Sequence, residues 1–174
     1  MERPPTIQTV RLRLIVLLPA EIETIIAGDL NRANQSAGLL FPSGWPDDIE
    51  LKEGLPLHLH HIRTDAAQIP WRIRAIVERV SNSVVGSINL KGPPNENCDV
   101  EIGWGVTTTR QRIGYALEAA KAVLDWVRDQ RCVKTVSATI PDDNGPSQKL
   151  AAKLGMIRID ELRRNLPLWR VTLS

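Results

Sequence analysis

Cysteine is scarce: Cys98 and Cys132 are the only two, and their separation fits neither a metal site nor a redox pair. A reducing cytoplasm is therefore the default compartment. Long apolar runs are also missing. Leu14 to Leu18 follows Arg3, Arg11 and Arg13 and faintly resembles a signal peptide. Five apolar residues are too few for such a leader, and Pro19 and acidic residues follow at once. No stretch approaches the length of a membrane span. Net charge is small, with 22 Lys+Arg against 20 Asp+Glu, a formal +2, and the basic residues are scattered. That balance is too small to argue for nucleic acid or an anionic membrane as a partner. No Gly-Lys-Ser/Thr triplet exists, which excludes a P-loop NTPase. Gly103-Trp-Gly105 lacks a third glycine and its helix starts too late for a dinucleotide fingerprint. There are no internal repeats and no low-complexity segments.

What remains is 174 residues of ordinary globular composition, 43% hydrophobic and 24% charged. That length suits one domain with a sizeable core. Residues 1–8 read as a flexible end, and one domain is expected over 9–174. Val10 to Leu18 alternates as a first strand, and Pro19 opens a helix carrying Ile22, Ile25, Ile26 and Leu30. Asn31 to Pro70 is the least regular part. It contains Phe41, Trp45, an acidic patch (Asp47, Asp48, Glu50, Glu53) and a helix from Pro56 to about Ala66. The aromatics argue for a folded, substrate-side arm. Trp71–Val80, Val84–Leu90 and Asp99–Val106 read as a three-strand meander, with a bulge or close backbone approach at Gly86. A long helix from Ile113, a strand over Val133–Ile140, a short helix over Ser147–Leu154 and two last strands (Met156–Ile159, Leu168–Leu173) complete the order. Three consecutive strands make this α+β with a mixed, mostly antiparallel sheet flanked by helices.

Val100 to Leu124 is the most informative stretch. A strand hands over to a helix through Gln111-Arg-Ile-Gly114-Tyr-Ala116. Amides at a helix start lack partners and sit at the positive end of the dipole, so such a turn favours a phosphate or pyrophosphate. Small residues at Gly114 and Ala116 let a ligand approach the backbone.

In this order the chain resembles the GNAT N-acetyltransferases, and within them the branch that includes the ribosomal-protein N-terminal acetyltransferases. The carriers are Val10-Arg-Leu-Arg-Leu14, Trp71–Val77, Val85-Gly-Ser-Ile88, Val100–Val106 leading into Gln111-x-x-Gly-x-Ala116, Asn144-x-x-Ser147 and Leu154-Gly155. The resemblance implies a fold with splayed central strands that takes acetyl-CoA as donor, without a metal. It implies that Trp104, Gly105 and Val106 pair with pantetheine. Gln111, Arg112, Ile113, Gly114, Tyr115 and Ala116 would hold the pyrophosphate, and Asn144 and Ser147 would approach the thioester. The acceptor would be an amine, of a peptide N-terminus or a small molecule. Relatives are commonly homodimers. Arg112 stands where a glycine is usual, and the helix tyrosine that serves relatives as general acid has no counterpart, Tyr115 being the only tyrosine.

The expected chemistry is direct attack of the amine on the thioester in a ternary complex. At pH 7 a lysine-like amine costs roughly 4–5 kcal/mol to deprotonate, an α-amine only about 1 kcal/mol. Glu101 is the candidate base, acting directly or through a water, or else a strand carboxylate facing solvent or bonded to Arg74. Ser147 either hydrogen-bonds the leaving sulfur or caps a helix, and Asn144 suits an N-cap. His58, His60 and His61 offer no third ligand, so a solvated helix face is expected there rather than a metal. The acidic patch is either a wet surface or an attraction for a cationic acceptor. A second class of function is a GNAT-fold protein that binds CoA without acetylating.

Overall fold

The computed structural model describes residues 2–173. Eight strands form one mixed sheet: β1 (Ile7–Gln8), β2 (Leu12–Val16), β3 (Ile73–Glu78), β4 (Val84–Leu90), β5 (Asp99–Val106), β6 (Thr135–Thr139), β7 (Ile157–Arg163) and β8 (Leu166–Thr172). Their spatial order is β1-β2-β3-β4-β5-β6-β8-β7. Every neighbouring pair is antiparallel except β5 and β6, which run parallel. The expected α+β class with a mixed sheet therefore holds.

Strand alternation divides the core in two. One face carries Leu12, Leu14, Ile76, Ile88, Val100 and Ile102 against α4 (Tyr115–Asp129), with α5 (Gly145–Lys153) beside it. The other carries Ile15, Leu17, Ile73, Ala75 and Val77 against α1 (Pro19–Ile26), α2 (Leu30–Ala37) and α3 (Leu55–Thr64). Among the described residues no helix is long and apolar enough to cross a membrane.

The parallel pair positions the site. β5 and β6 pair only over Asp99–Glu101 and Thr135–Ser137. Beyond that point β5 stays with β4 as far as Val106, and β6 stays with β8. The strands diverge and leave the β6-facing side of Trp104, Gly105 and Val106 open. Gly86 holds β4 against β5 here: a Cβ added to it would lie 2.1 Å from the Gly105 carbonyl oxygen, so no other residue fits. The β3–β4 register also shifts between Ile76 and Val77, next to Gly86. Both the close approach and the irregularity match the sequence expectation for that glycine.

Several elements differ from that expectation. Ile7–Gln8 pair with Leu14 and Arg13 where the sequence suggests a loose end, and Arg3 reaches the Glu21 carboxylate. The polar helix α2 has no apolar stripe to announce it and buries only Ala33. The last hairpin is longer than predicted because Arg164 and Asn165 take left-handed backbone, a tight turn that lets the charged strand β7 extend to Arg163. His58 is buried rather than solvated, and burial pushes its imidazole down to about 3, so it stays neutral.

Candidate active site

The open side of β5 forms the floor of a cleft of about 610 Å³. Trp104, Gly105 and Val106 line it, followed by the loop and the first turn of α4. A single 3₁₀ turn at Thr108–Arg110 reverses the chain, and the Gln111 side chain returns to donate to the Val106 carbonyl at 3.0 Å. Arg112 and Gly114 both adopt left-handed backbone, at φ 64° and 88°. Two such residues with one residue between them curl the loop before the helix.

α4 starts at Tyr115, with Gly114 as its N-cap. Glycine supplies no capping side chain, so the first-turn amides have no partner of their own. The sequence places the helix start at Ile113. That residue instead lies outside the helix and is 46% exposed, and it does not line the cleft. The buried stripe runs through Tyr115, Ala119, Ala120, Val123, Leu124 and Val127, which leaves Ala116 and Leu117 of the first turn facing the cleft.

The loop is braced from outside. Arg11 donates to the Ile113 carbonyl at 2.9 Å, pairs with Glu118 at 2.7 Å and lies over the Tyr115 ring at 4.8 Å. The Tyr115 hydroxyl is bound to Glu78, and that hydrogen bond raises its pKa. Tyr115 is therefore a packing and anchoring residue, as its place in the loop suggests.

The far wall belongs to α5. Asn144 caps it by accepting from the Ser147 amide at 3.2 Å. Asn144 and Ser147 both line the cleft, together with Lys149 and Lys153. With Arg110 and Arg112 from the loop, these lysines give the cleft a cationic wall. Unpartnered amides thus lie beside four cationic side chains, of which Arg110 also pairs with Glu78 at 3.5 Å, an arrangement suited chemically to a polyanion.

Glu101 does not belong to this cleft. Its side chain is 6% exposed and sits in an ion network. Lys91 pairs with it at 2.6 Å and Arg163 at 3.1 Å, the Thr139 hydroxyl donates at 3.0 Å, and Arg164 binds it too. Burial alone would raise its pKa, but hydrogen bonds and charge from Lys91, with Arg163 and Arg164, hold it down at about 2. A carboxylate so thoroughly satisfied is a feeble proton acceptor at neutral pH. Neither alternative environment fits: Glu101 does not face solvent, and Arg74 lies over Trp126 and donates to the Pro70 carbonyl instead. Asp99 extends the network, accepting from Thr135 and Ser137 at 2.7 Å each.

The third wall comes from the irregular arm, which is folded as its aromatics suggest. Gly44, Trp45, Asp47 and Glu50 from the irregular arm line the cleft beside Ser87 and Gly105. Phe41 and Trp45 stack at 5.3 Å in the core and fix this segment. A π-helical turn over Glu50–Gly54 leads into α3. Of the acidic patch, Asp47, Asp48 and Glu53 are exposed, and Glu50 alone is partly buried. Among the described residues no group of three or more His, Cys, Asp or Glu side chains is placed to hold a metal ion.

Comparison with known proteins is in keeping with this geometry. Residues 11–157 match the family model described as an acetyltransferase (GNAT) domain. Over 82 residues the chain is 35% identical to the uncharacterized N-acetyltransferase YjdG of Bacillus subtilis (strain 168). That stretch covers 47% of this chain and 49% of the relative, so it spans about half the relative's length. An acetyltransferase from Agrobacterium tumefaciens str. C58 shares the fold at a TM-score of 0.67 and 20% identity, covering 97% of this chain and 94% of that one. RimJ of Mycobacterium smegmatis, solved in complex with CoA-disulfide, does so at 0.65 and 19%, covering 99% and 90%.

Proposed function

Because the chain belongs to the GNAT acetyltransferase family, we propose that it transfers an acetyl group from acetyl-CoA to a primary amine, by direct attack within a ternary complex. The observation that carries this reading is the cleft itself. A divergent parallel strand pair exposes peptide groups at Trp104–Val106, and an uncapped helix start with four cations lies at its end. An extended amide-bearing arm ending in a pyrophosphate matches that sequence of groups. The arm would bond the Trp104–Val106 backbone, and the pyrophosphate would take the amides between Gln111 and Ala116. Donor binding then needs no metal: the cations and helix dipole meet the phosphate charge.

The acceptor enters from the side of Trp45, Asp47 and Glu50. Carbonyl attack places the amine near the thioester, within reach of α5, where the Ser147 hydroxyl is suited to hydrogen-bond the departing sulfur. Its own amide is already used in the cap, and its hydroxyl is left for that role. Among acceptors, an α-amine needs roughly 3–4 kcal/mol less help with deprotonation than a lysine side chain.

Calorimetric titration with acetyl-CoA, followed by thiol release over free-N-terminal hexapeptides and small primary amines, tests the proposal. Saturable donor binding and amine-dependent thiol release are expected. Failure to bind acetyl-CoA overturns it. Donor binding with no amine turned over leaves a CoA-binding module on an acetyltransferase fold.

A further inference from the structure

We propose that Glu50 is the general base that takes the proton from the acceptor amine, an assignment that rests on the acetyl-transfer reading above. The geometry starts from the sheet. Ser87 of β4 and Gly105 of β5 are register partners, so they share one face at the point where β5 becomes free. Gly105 has no side chain, and a Cβ built on it would meet nothing within 4 Å, so the space over this face is open. Glu50 borders the same cleft as Ser87, Trp104 and Gly105, at the first residue of the π-helical turn. Such turns recur at functional sites because the widened backbone re-aims a side chain. Glu50 Oε1 is shielded from solvent and makes no hydrogen bond among the described residues. A shielded carboxylate oxygen without a partner is costly to keep, and an ammonium group would satisfy it.

The electrical surroundings agree. Burial, then the nearby Asp47 charge, raise the Glu50 pKa to about 7, and the Ser87 hydroxyl partly offsets this. The other charged groups on the cleft are Arg110 and Arg112 from the loop and Lys149 and Lys153 from α5. Glu101, on the same face of β5, is neutralised by Lys91, Arg163 and Arg164. A base with a pKa near the working pH both exists as carboxylate and accepts a proton readily.

The step balances as follows. The ammonium gives one proton to the Glu50 carboxylate. The freed lone pair bonds to the thioester carbonyl carbon. Collapse of the tetrahedral adduct breaks the C–S bond, and the second nitrogen proton passes to the leaving sulfur. Glu50 then returns its proton to water, so one proton is released per amide formed.

Glu50→Gln decides the matter. With an acceptor from the panel that the wild type turns over, kcat/KM should fall by about 100-fold or more. Acetyl-CoA affinity should stay within about twofold, showing an intact fold and donor site. The wild-type rate should rise with pH through about 7, since the carboxylate is the active form, and this limb should vanish in the variant. In protein carrying [δ-¹³C]glutamate, the resonance missing from the variant should titrate near 7. A Glu50 resonance titrating in the ordinary carboxylate range, or a variant that keeps the wild-type rate and pH limb, overturns the assignment and leaves the transferase reading standing. A wild type that binds acetyl-CoA and acetylates no amine overturns both.

Discussion

Glu50 and Glu101 are chemically the same residue placed in opposite circumstances. One lacks a hydrogen bond at Oε1 beside an open cleft, and the other is held by Lys91, Arg163, Arg164 and Thr139. Their environments push the two carboxyls apart, to about 7 and about 2. Glu101→Gln is therefore a stability variant. Lys91 and Arg164 are half-exposed and Arg163 keeps Asp99, so the cations left behind are partly hydrated, and the loss of these charged hydrogen bonds costs about 1–3 kcal/mol. The linkage has a definite sign: the folded-state pKa of Glu101 is depressed, so its stabilisation is complete above the ordinary carboxylate range. It is lost as pH falls from about 4.5 toward about 2. Denaturant titrations across that window should show a loss in the wild type that is smaller in the variant. The pH dependence of turnover near neutrality should be the same in both, because Glu101 does not titrate there.

At the scale of elements, the loop before α4 depends on its left-handed residues. Gly114→Ala places a Cβ at φ 88°, where an L-residue costs about 1–2 kcal/mol, and the added methyl would sit 3.4 Å from Arg11. Calorimetry should show weaker acetyl-CoA binding, with an activity loss that saturating donor recovers; unchanged affinity would mean that the turn does not shape the donor site. Such elements also show what the sequence makes legible. Val84–Leu90 and Asp99–Val106 form strands with the predicted boundaries, because alternation and flanking turns specify both. The start of α4 was displaced by Ile113, which continues the apolar period on paper but lies beyond a left-handed glycine. Helix α2 has no apolar stripe to read. Glu50 reads in sequence as one of four carboxylates of an acidic patch, and no local pattern encodes that it alone is partly buried, with its carboxylate against Gly54 of its own turn. Likewise nothing near Glu101 in sequence announces that Arg163 and Arg164 converge on it from the final hairpin.

For the molecule as a whole, the walls of the cleft come from different parts of the chain, yet they share one sheet. Helix α4 and the loop draw on the core of one face, and the arm from Phe41 to Gly54 on that of the other. A ligand spanning Trp104–Ala116 and α5 ties several elements together, so it should stabilise the entire domain. At a free acetyl-CoA concentration about 100 times Kd, the gain is about 2.7 kcal/mol. For a chain of this size that corresponds to a rise in Tm of roughly 5–10 °C, measurable by scanning calorimetry. A single transition shifting as one is expected; separate shifts of two transitions would mean that the two cores unfold independently.

Arg11 does not itself line the cleft, yet its bonds to the Ile113 carbonyl and to Glu118 brace the loop before α4 from behind. The consequence is one of timing. A loop braced in this way is expected to take its shape when the chain folds, so that a donor meets a finished surface with no later rearrangement. Observed association rates then rise in proportion to donor concentration without reaching a plateau, and the lifetime of the complex is set by dissociation alone.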